Sequence, residues 1–416
     1  MLLYQFAAAT AILADSLTVG GDLAVTPEEL LQALLDTRSP SGIISGDGPV
    51  DSTKIRVLRA LREGAGSAAE LADRVDVSRQ TVYRALDPCR EAGLVRTVET
   101  GSALTCSGGA ILRAYAGICE EIERTALVQL ARSAHKRWIL DALDDAPARK
   151  AVLATTARQT NGPSRTTVHR IIDTFVGDGY VLENRGRYEL TEAGCHLLTA
   201  YTGFRSTIAQ VLDKRDFLQW LPADLDSLPV DALAGSTVIR NTLGQPHNVL
   251  GAFTRVADTE FDTFRGISTI VSPTLAQAYR PVLRSTAHVS AIFPDDVLFK
   301  LHQDPEFLKF VREQGFGSYI RDGFAARGAE LRFVSGTLPL HLAICDDDRV
   351  MLAPAPSTGV TGVTASAIDS RDPRLIEWAT TYFESHRGEG RPPLRVFLER
   401  VKGLTNSSKR ARKPSD

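Results

Sequence analysis

The feature that most constrains this chain is an internal repeat. At an offset of 86 residues, Ser78-Arg79-Gln80-Thr81-Val82-Tyr83-Arg84 aligns with Ser164-Arg165-Thr166-Thr167-Val168-His169-Arg170. The alignment runs on without a gap to Gly93-Leu94-Val95 on Gly179-Tyr180-Val181, and to Leu104-Thr105 and Gly108 on Leu190-Thr191 and Gly194. Further upstream Val57-Leu58-Arg59-Ala60-Leu61 matches Ile139-Leu140-Asp141-Ala142-Leu143 at an offset of 82, so the second copy carries four extra residues around Asn161-Gly162-Pro163. Self-similarity at a fixed period means that one structural unit occurs twice, and an insertion in a turn is tolerated.

Each copy reads as helix, helix, turn, helix, hairpin. In copy one, Ile55, Val57, Leu58 and Leu61 have helical spacing, and Ser67-Ala68-Ala69-Glu70 is a capping box opening the second helix. After the turn at Val75-Asp76-Val77, Ser78 caps a third helix with Val82, Ala85, Leu86 and Cys89 on one face, and Gly93 stops it. In copy two Ser164 is the cap, the stripe is Val168, Ile171, Ile172 and Phe175, and Asn184-Arg185-Gly186 turns a hairpin between Tyr180–Glu183 and Arg187–Leu190. This is the winged helix-turn-helix pattern.

A helix that enters the major groove needs an apolar face for its own domain and a polar face for base edges and phosphates. At 100° per residue the outward positions are Gln80, Arg84 and Asp87 in copy one, flanked by Thr81 and Tyr83 with Arg79 nearer the domain, and Thr166, Arg170 and Asp173 in copy two, flanked by Thr167 and His169. The DNA-contacting set expected from this is Arg79, Gln80, Thr81, Tyr83, Arg84, Arg165, Thr166, Thr167, His169 and Arg170, with Arg96, Arg185 and Arg187 from the wings. Charge agrees in direction. Residues 51–99 hold 9 Lys+Arg against 8 Asp+Glu and residues 132–190 hold 10 against 7, whereas residues 1–50 hold one Arg against six acids, all within a chain of net charge −2. The alternative left open is a protein-docking scaffold whose arginines form a solvated face.

The fold class expected is α+β multidomain: two tandem winged helix-turn-helix units followed by a mixed α/β domain. The modules are residues 1–50, an N-terminal apolar or helical extension; 51–131, the first unit and a connecting helix; 132–221, the second unit and a linker helix (Glu192 to Leu212); 222–400, an α/β effector or assembly domain; and 401–416, a disordered basic tail. In the third module strands are expected at Gly266–Val271, Val289–Phe293, Glu330–Val334, Leu340–Cys345 and Val350–Ala353, and helices at Leu275–Ser285, Pro305–Gln314 and Pro373–His386.

Five scattered cysteines without a C-x-x-C pair argue against a disulfide framework or a zinc ribbon and for a reduced, cytoplasmic setting. Eight dispersed histidines give no metal-ligand spacing, and no cofactor loop is present. Leu2–Leu13 is apolar but too short to span a bilayer, so no membrane association is expected.

The N-terminal half resembles the archaeal winged-helix regulators, and the chain as a whole resembles the haloarchaeal and methanogen FilR-type transcriptional regulators. The resemblance rests on Tyr188-Glu189-Leu190-Thr191-Glu192-Ala193-Gly194, Phe264-Arg265-Gly266-Ile267, Ala291-Ile292-Phe293-Pro294-Asp295-Asp296-Val297 and Leu340-His341-Leu342-Ala343-Ile344-Cys345-Asp346-Asp347. It implies double-stranded DNA as partner, homodimers, and a C-terminal domain open to a small-molecule effector. The homodimer interface expected is the long helix from Glu192 to Leu212 with the apolar N-terminal segment. His341, Ala343 and Asp348 have the H-x-K-x4-D spacing of the phospholipase D superfamily, with alanine in place of the lysine that would hold a phosphate, so a phosphodiesterase is disfavoured and no enzyme is expected. Arg265, His341 and Asp346 are the candidate effector-binding residues.

Overall fold

The computed structural model describes residues 25–35, 51–64, 66–160, 162–225, 227–242, 244–245, 247–257, 260–269, 287–296, 305, 309, 330–355, 366–393 and 395–396. The chain divides into two compact units, the first spanning residues 23–226 and the second containing residues 227–416.

The first unit begins with α1 (Pro27–Leu35), capped by Thr26, whose backbone N–H donates to the Glu29 carboxylate at 2.9 Å while its hydroxyl accepts from Glu29 N at 3.2 Å. The first winged helix follows: α2 (Thr53–Arg62), α3 (Ala68–Val75), α4 (Arg79–Glu91), β1 (Val95–Val98) and β2 (Gly101–Leu104). Helices α5 (Cys106–Glu121) and α6 (Arg124–Arg132) lead to the second: α7 (Ala134–Asp145), α8 (Lys150–Gln159), α9 (Arg165–Gly177), β3 (Val181–Asn184) and β4 (Arg187–Leu190). The 22-residue α10 (Glu192–Asp213) and the short α11 (Arg215–Leu218) close the unit.

The repeat is reproduced atom by atom at the joint between wing and helix. Thr105 caps α5 and donates its hydroxyl to Gly93 O at 2.7 Å, and Thr191 caps α10 and donates to Gly179 O at 2.7 Å. Gly93 and Gly179 sit at φ 71° and 78°, in the left-handed region that favours glycine. One turn into each helix, a Cβ on Gly108 would lie 2.4 Å from Leu94 O, and one on Gly194 would lie 2.1 Å from Tyr180 O. Helix and strand end therefore touch backbone to backbone, and only glycine fits.

Two features lie beyond the sequence expectation. The apolar stripe of α10 (Leu197, Leu198, Tyr201, Phe204, Ile208, Val211) is buried within the chain, and α10 packs on α5, α1 and α7. The stripe is therefore already covered, which removes the apolar surface that the expected dimer interface relied on; the segment Leu2–Leu13 lies outside the described residues. Second, the segment after α10 folds onto the first winged helix. Arg215 donates to Glu91 O at 3.0 Å, Cys106 N donates to Leu221 O at 2.9 Å, and Thr105 bridges Pro222, while Phe217, Leu218, Leu221 and Leu225 are buried.

The second unit is built on a seven-stranded mixed sheet of β5 (Thr237–Arg240), β6 (Thr263–Ile267), β7 (His288–Pro294), β8 (Glu330–Val334), β9 (Leu340–Cys345), β10 (Arg349–Pro354) and β11 (Ser366–Ser370), in the order β5-β11-β10-β9-β6-β7-β8. Strands β6, β7 and β8 are parallel; the remaining pairs are antiparallel. One face, with Phe264, Val289, Ala343, Cys345, Met351 and Ala353, packs with Val249, Ala252, Phe253 and Val256 of α12 (Asn248–Ala257) in one core cluster. Helix α13 (Pro373–Glu389) packs on β6, β8, β9 and β10 through an apolar stripe of Leu375, Ile376, Ala379 and Phe383. The expected helix Leu275–Ser285 lies outside the described residues, and so does almost all of Pro305–Gln314. Strands β5 and β11 and helix α12 are additions to the sequence reading, and α1 gives bounds to a helix within the stretch expected as an apolar or helical extension.

Candidate nucleic-acid interface

Helices α4 and α9 are capped identically. Ser78 Oγ accepts from Thr81 N at 3.1 Å and lies 2.8 Å from Thr81 Oγ1; Ser164 Oγ accepts from Thr167 N at 3.3 Å and lies 2.8 Å from Thr167 Oγ1. The two threonines are thereby engaged in the caps and only half-exposed. Burial of Val82, Ala85, Leu86 and Cys89 in α4, and of Val168, Ile171, Ile172 and Phe175 in α9, turns the other side of each helix to solvent. That side carries Arg79, Gln80, Tyr83 and Arg84 in α4 and Arg165, Thr166 and Arg170 in α9, all exposed. Tyr83 is 53% exposed, unusual for a large aromatic and fitting for a side chain that awaits a partner. His169 is half-buried, its Nε2 without a hydrogen-bond partner among the described residues.

Electrostatics favour an anion on these faces. None of the four exposed arginines Arg79, Arg84, Arg165 and Arg170 pairs with an acid among the described residues. The acid at the outward position of each helix is matched by a local cation: Arg90 lies 3.3 Å from Asp87, and Lys150 pairs with Asp173 while its Nζ sits 4.9 Å from the centre of the Tyr188 ring.

The wings differ. In the second, Arg185 (φ 51°) and Gly186 (φ 77°) form a two-residue turn with both centres left-handed, the type I′ geometry of tight hairpins. Arg185 and Arg187 are exposed at its tip. In the first, Arg96 is half-buried and donates to Trp220 O at 3.2 Å, and burial pulls its pKa below the usual arginine value. Arg96 thus fastens the closing segment, a partner some 120 residues away that no local pattern announces.

In the second unit the structure does not bring Arg265, His341 and Asp346 together. His341 opens β9 and Asp346 follows its last residue, which separates them by about 17 Å at the strand rise. Register puts Arg265 opposite Ile344 and His341 opposite Ala353, on opposite faces of the sheet. The acids at 346 and 347 are turn residues: both have φ near 50° (49° and 52°), and Asp348 N closes the turn on Cys345 O at 3.0 Å. Asp346 accepts from the backbone N–H of Asp262 and Thr263 at 2.9 and 2.8 Å, and Arg265 pairs with Asp347.

His341 is buried beside the carboxyl end of β6. Thr269 N donates to its Nδ1 at 3.2 Å and the Thr269 hydroxyl lies 3.2 Å from Nε2. Burial lowers its pKa to about 4, so it is neutral at physiological pH. At the carboxyl ends of β7 and β8, Arg391 donates to Asp295 and to Ser335, each at 2.6 Å, a polar cluster that sequence spacing did not connect because its members are 40 and 56 residues apart. Burial pushes the Cys345 thiol up to about 11, which argues against a reactive thiolate. No group of His, Cys, Asp and Glu suited to a metal ion occurs among the described residues, and none of their helices is long and apolar enough to cross a membrane.

Two tandem winged helices followed by a mixed α/β unit define a class of multi-module winged-helix proteins. Within that class the domain matches are specific: residues 51–127 and 124–212 each match the HVO_A0261 N-terminal domain, and residues 246–389 match the middle domain of the methanogenesis regulatory protein FilR1. By this domain composition the chain is similar, module by module, to the FilR-type regulators. No curated protein matches the sequence. Among solved structures, TrmBL2, described as an archaeal chromatin protein with a novel mode of DNA binding, is 13% identical over 62% of this chain and 94% of its own, with a TM-score of 0.29. The phospholipase D family member Nuc from Salmonella typhimurium (13% identity, 38% of this chain and 97% of its own, TM-score 0.28) and NucT from Helicobacter pylori (11%, 38% and 98%, 0.28) are also similar. Scores this low carry no argument, and the similarity rests on the two domain matches.

Proposed function

We propose that this regulator binds double-stranded DNA sequence-specifically through α4 and α9 and that its second unit responds to a small effector without catalysing a reaction. The observation that carries the DNA reading is the pair of identically capped helices, each with two exposed arginines that have no acidic partner among the described residues, opposite a buried apolar stripe. Arg84 and Arg170 would read guanine edges, Gln80 and Thr166 the neighbouring bases, and Arg79, Tyr83, Arg165 and His169 the flanking phosphates and sugars, with Thr81 and Thr167 held in the caps just behind them. The test is binding to fragments of the protein's own upstream region at two salt concentrations. Affinity that falls steeply with salt is expected, because several phosphate contacts displace several counterions. Salt-insensitive binding, or none, would favour a protein-docking role.

Catalytic silence is supported by Ala343, buried in the cluster between sheet and α12, where a lysine ammonium would have neither room nor water. The effector site we favour is the carboxyl edge of β6, β7 and β8, lined by Thr269, Asp295, Ser335, His341 and Arg391, the end at which open α/β sheets commonly hold ligands. Stabilisation of the full chain by a metabolite, lost in Ser335→Ala, is the expected result of a thermal-shift screen; phosphodiesterase turnover would overturn the claim of silence. Pairing of two chains about a twofold axis would double the operator contacts, and light scattering at micromolar concentration is expected to return twice the chain mass.

A further inference from the structure

Superposing the repeat on itself puts Glu99-Thr100-Gly101, at the tip of the first wing, opposite Arg185-Gly186-Arg187 at the tip of the second. Both hairpins have two-residue turns, between the pairs Val98–Gly101 and Asn184–Arg187, so the two tips are alike in length and opposite in charge. The one cation in the first wing, Arg96, is spent on Trp220 O, and its counterpart in the second is Leu182. Arg185 and Arg187 have no acidic partner among the described residues, while the two acids of their own hairpin are occupied: Glu183 accepts from the Tyr188 hydroxyl at 3.0 Å and Glu189 from Asn184 Nδ2 at 3.5 Å.

We infer that the two units grip DNA unequally: the second wing lays Arg185 into the minor groove beside its recognition helix with Arg187 on the adjoining phosphate, and the first wing makes no DNA contact. The inference rests on the DNA-binding reading above. A narrow minor groove has an enhanced negative potential that attracts an inserted arginine, whereas a glutamate at the same place is repelled by both strands. The second half-site should therefore extend past the major-groove bases into a flanking A·T-rich step, and the first should not.

The test uses the full chain and a duplex that the wild-type protein selects from a random-sequence pool. Arg185→Asn keeps a residue tolerant of the left-handed conformation, and Asn-Gly is a favoured type I′ pair, so the hairpin is preserved. It is expected to weaken binding about 5- to 30-fold and to abolish hydroxyl-radical protection of one minor-groove flank. Arg187→Ala is expected to lower the slope of log affinity against log salt by about 1. Glu99→Gln is expected to change affinity less than 2-fold and leave the footprint as it was. Netropsin should compete with the wild type and not with Arg185→Asn. A Glu99→Gln effect as large as that of Arg185→Asn, or a silent Arg185→Asn while Arg84→Ala and Arg170→Ala still weaken binding, overturns unequal grip and leaves the DNA reading standing. A wild-type chain that selects no duplex removes both.

Discussion

Arg84 and Arg170 occupy equivalent positions on α4 and α9, exposed and without an apolar role, so each should be replaceable by alanine at no cost to folding. Loss of one good base contact is worth about 1–3 kcal/mol; in fluorescence anisotropy each variant should bind correspondingly more weakly, with an unchanged melting temperature. Unaltered affinity in both would mean that the wrong face has been assigned. His341 poses the reverse case, a buried polar group whose protonation is coupled to folding. Its pKa of about 4 in the folded chain lies below the unfolded value of about 6.5, so the folded state binds fewer protons between those two pH values. Its contribution is complete above about pH 6.5 and is lost as the pH falls through 4, by up to about 3 kcal/mol. Urea titrations of the wild type and of His341→Gln should diverge in slope against pH across that window and run parallel above it.

At the scale of elements, the wing-to-helix joints explain why a repeat could be seen at all. Positions such as Gly108 and Gly194 are dictated by close backbone approaches, to Leu94 O and Tyr180 O, so the residue type survives in both copies while exposed positions drift. Gly194→Ala should force α10 off the strand end and cost about 1–3 kcal/mol in a thermal melt, and Gly108→Ala should do the same to α5. The same reasoning marks where sequence reading runs out. Caps, stripes and turns act within a few residues, which is why Ser78, Ser164, Val168 and Phe175 could be placed from spacing alone, together with most strands of the second unit. Arg96 could not, since its partner Trp220 is 124 residues away. Nor could the grouping of Arg265, His341 and Asp346, because proximity in a motif says nothing about which end or face of a strand each residue occupies. Helix α1 did carry a local signal, the Thr26–Glu29 capping box, within a stretch read without bounds as an apolar or helical extension.

At the scale of the molecule, chain order and mechanical order are different things. Residues 215–225 follow the second winged helix and α10 in sequence, yet they are bonded to the first winged helix and the start of α5, at Glu91, Arg96, Thr105 and Cys106. A chain ended after Asp213 would therefore lose the strap of its more distant neighbour: amide exchange is expected to quicken in α4, β1 and the start of α5, with α9, β3 and β4 nearly as protected as before. Equal loosening of both winged helices would contradict this. The segment that leads out of the unit is in this sense a belt buckled one notch back: a load on it falls on the first winged helix before it reaches the second.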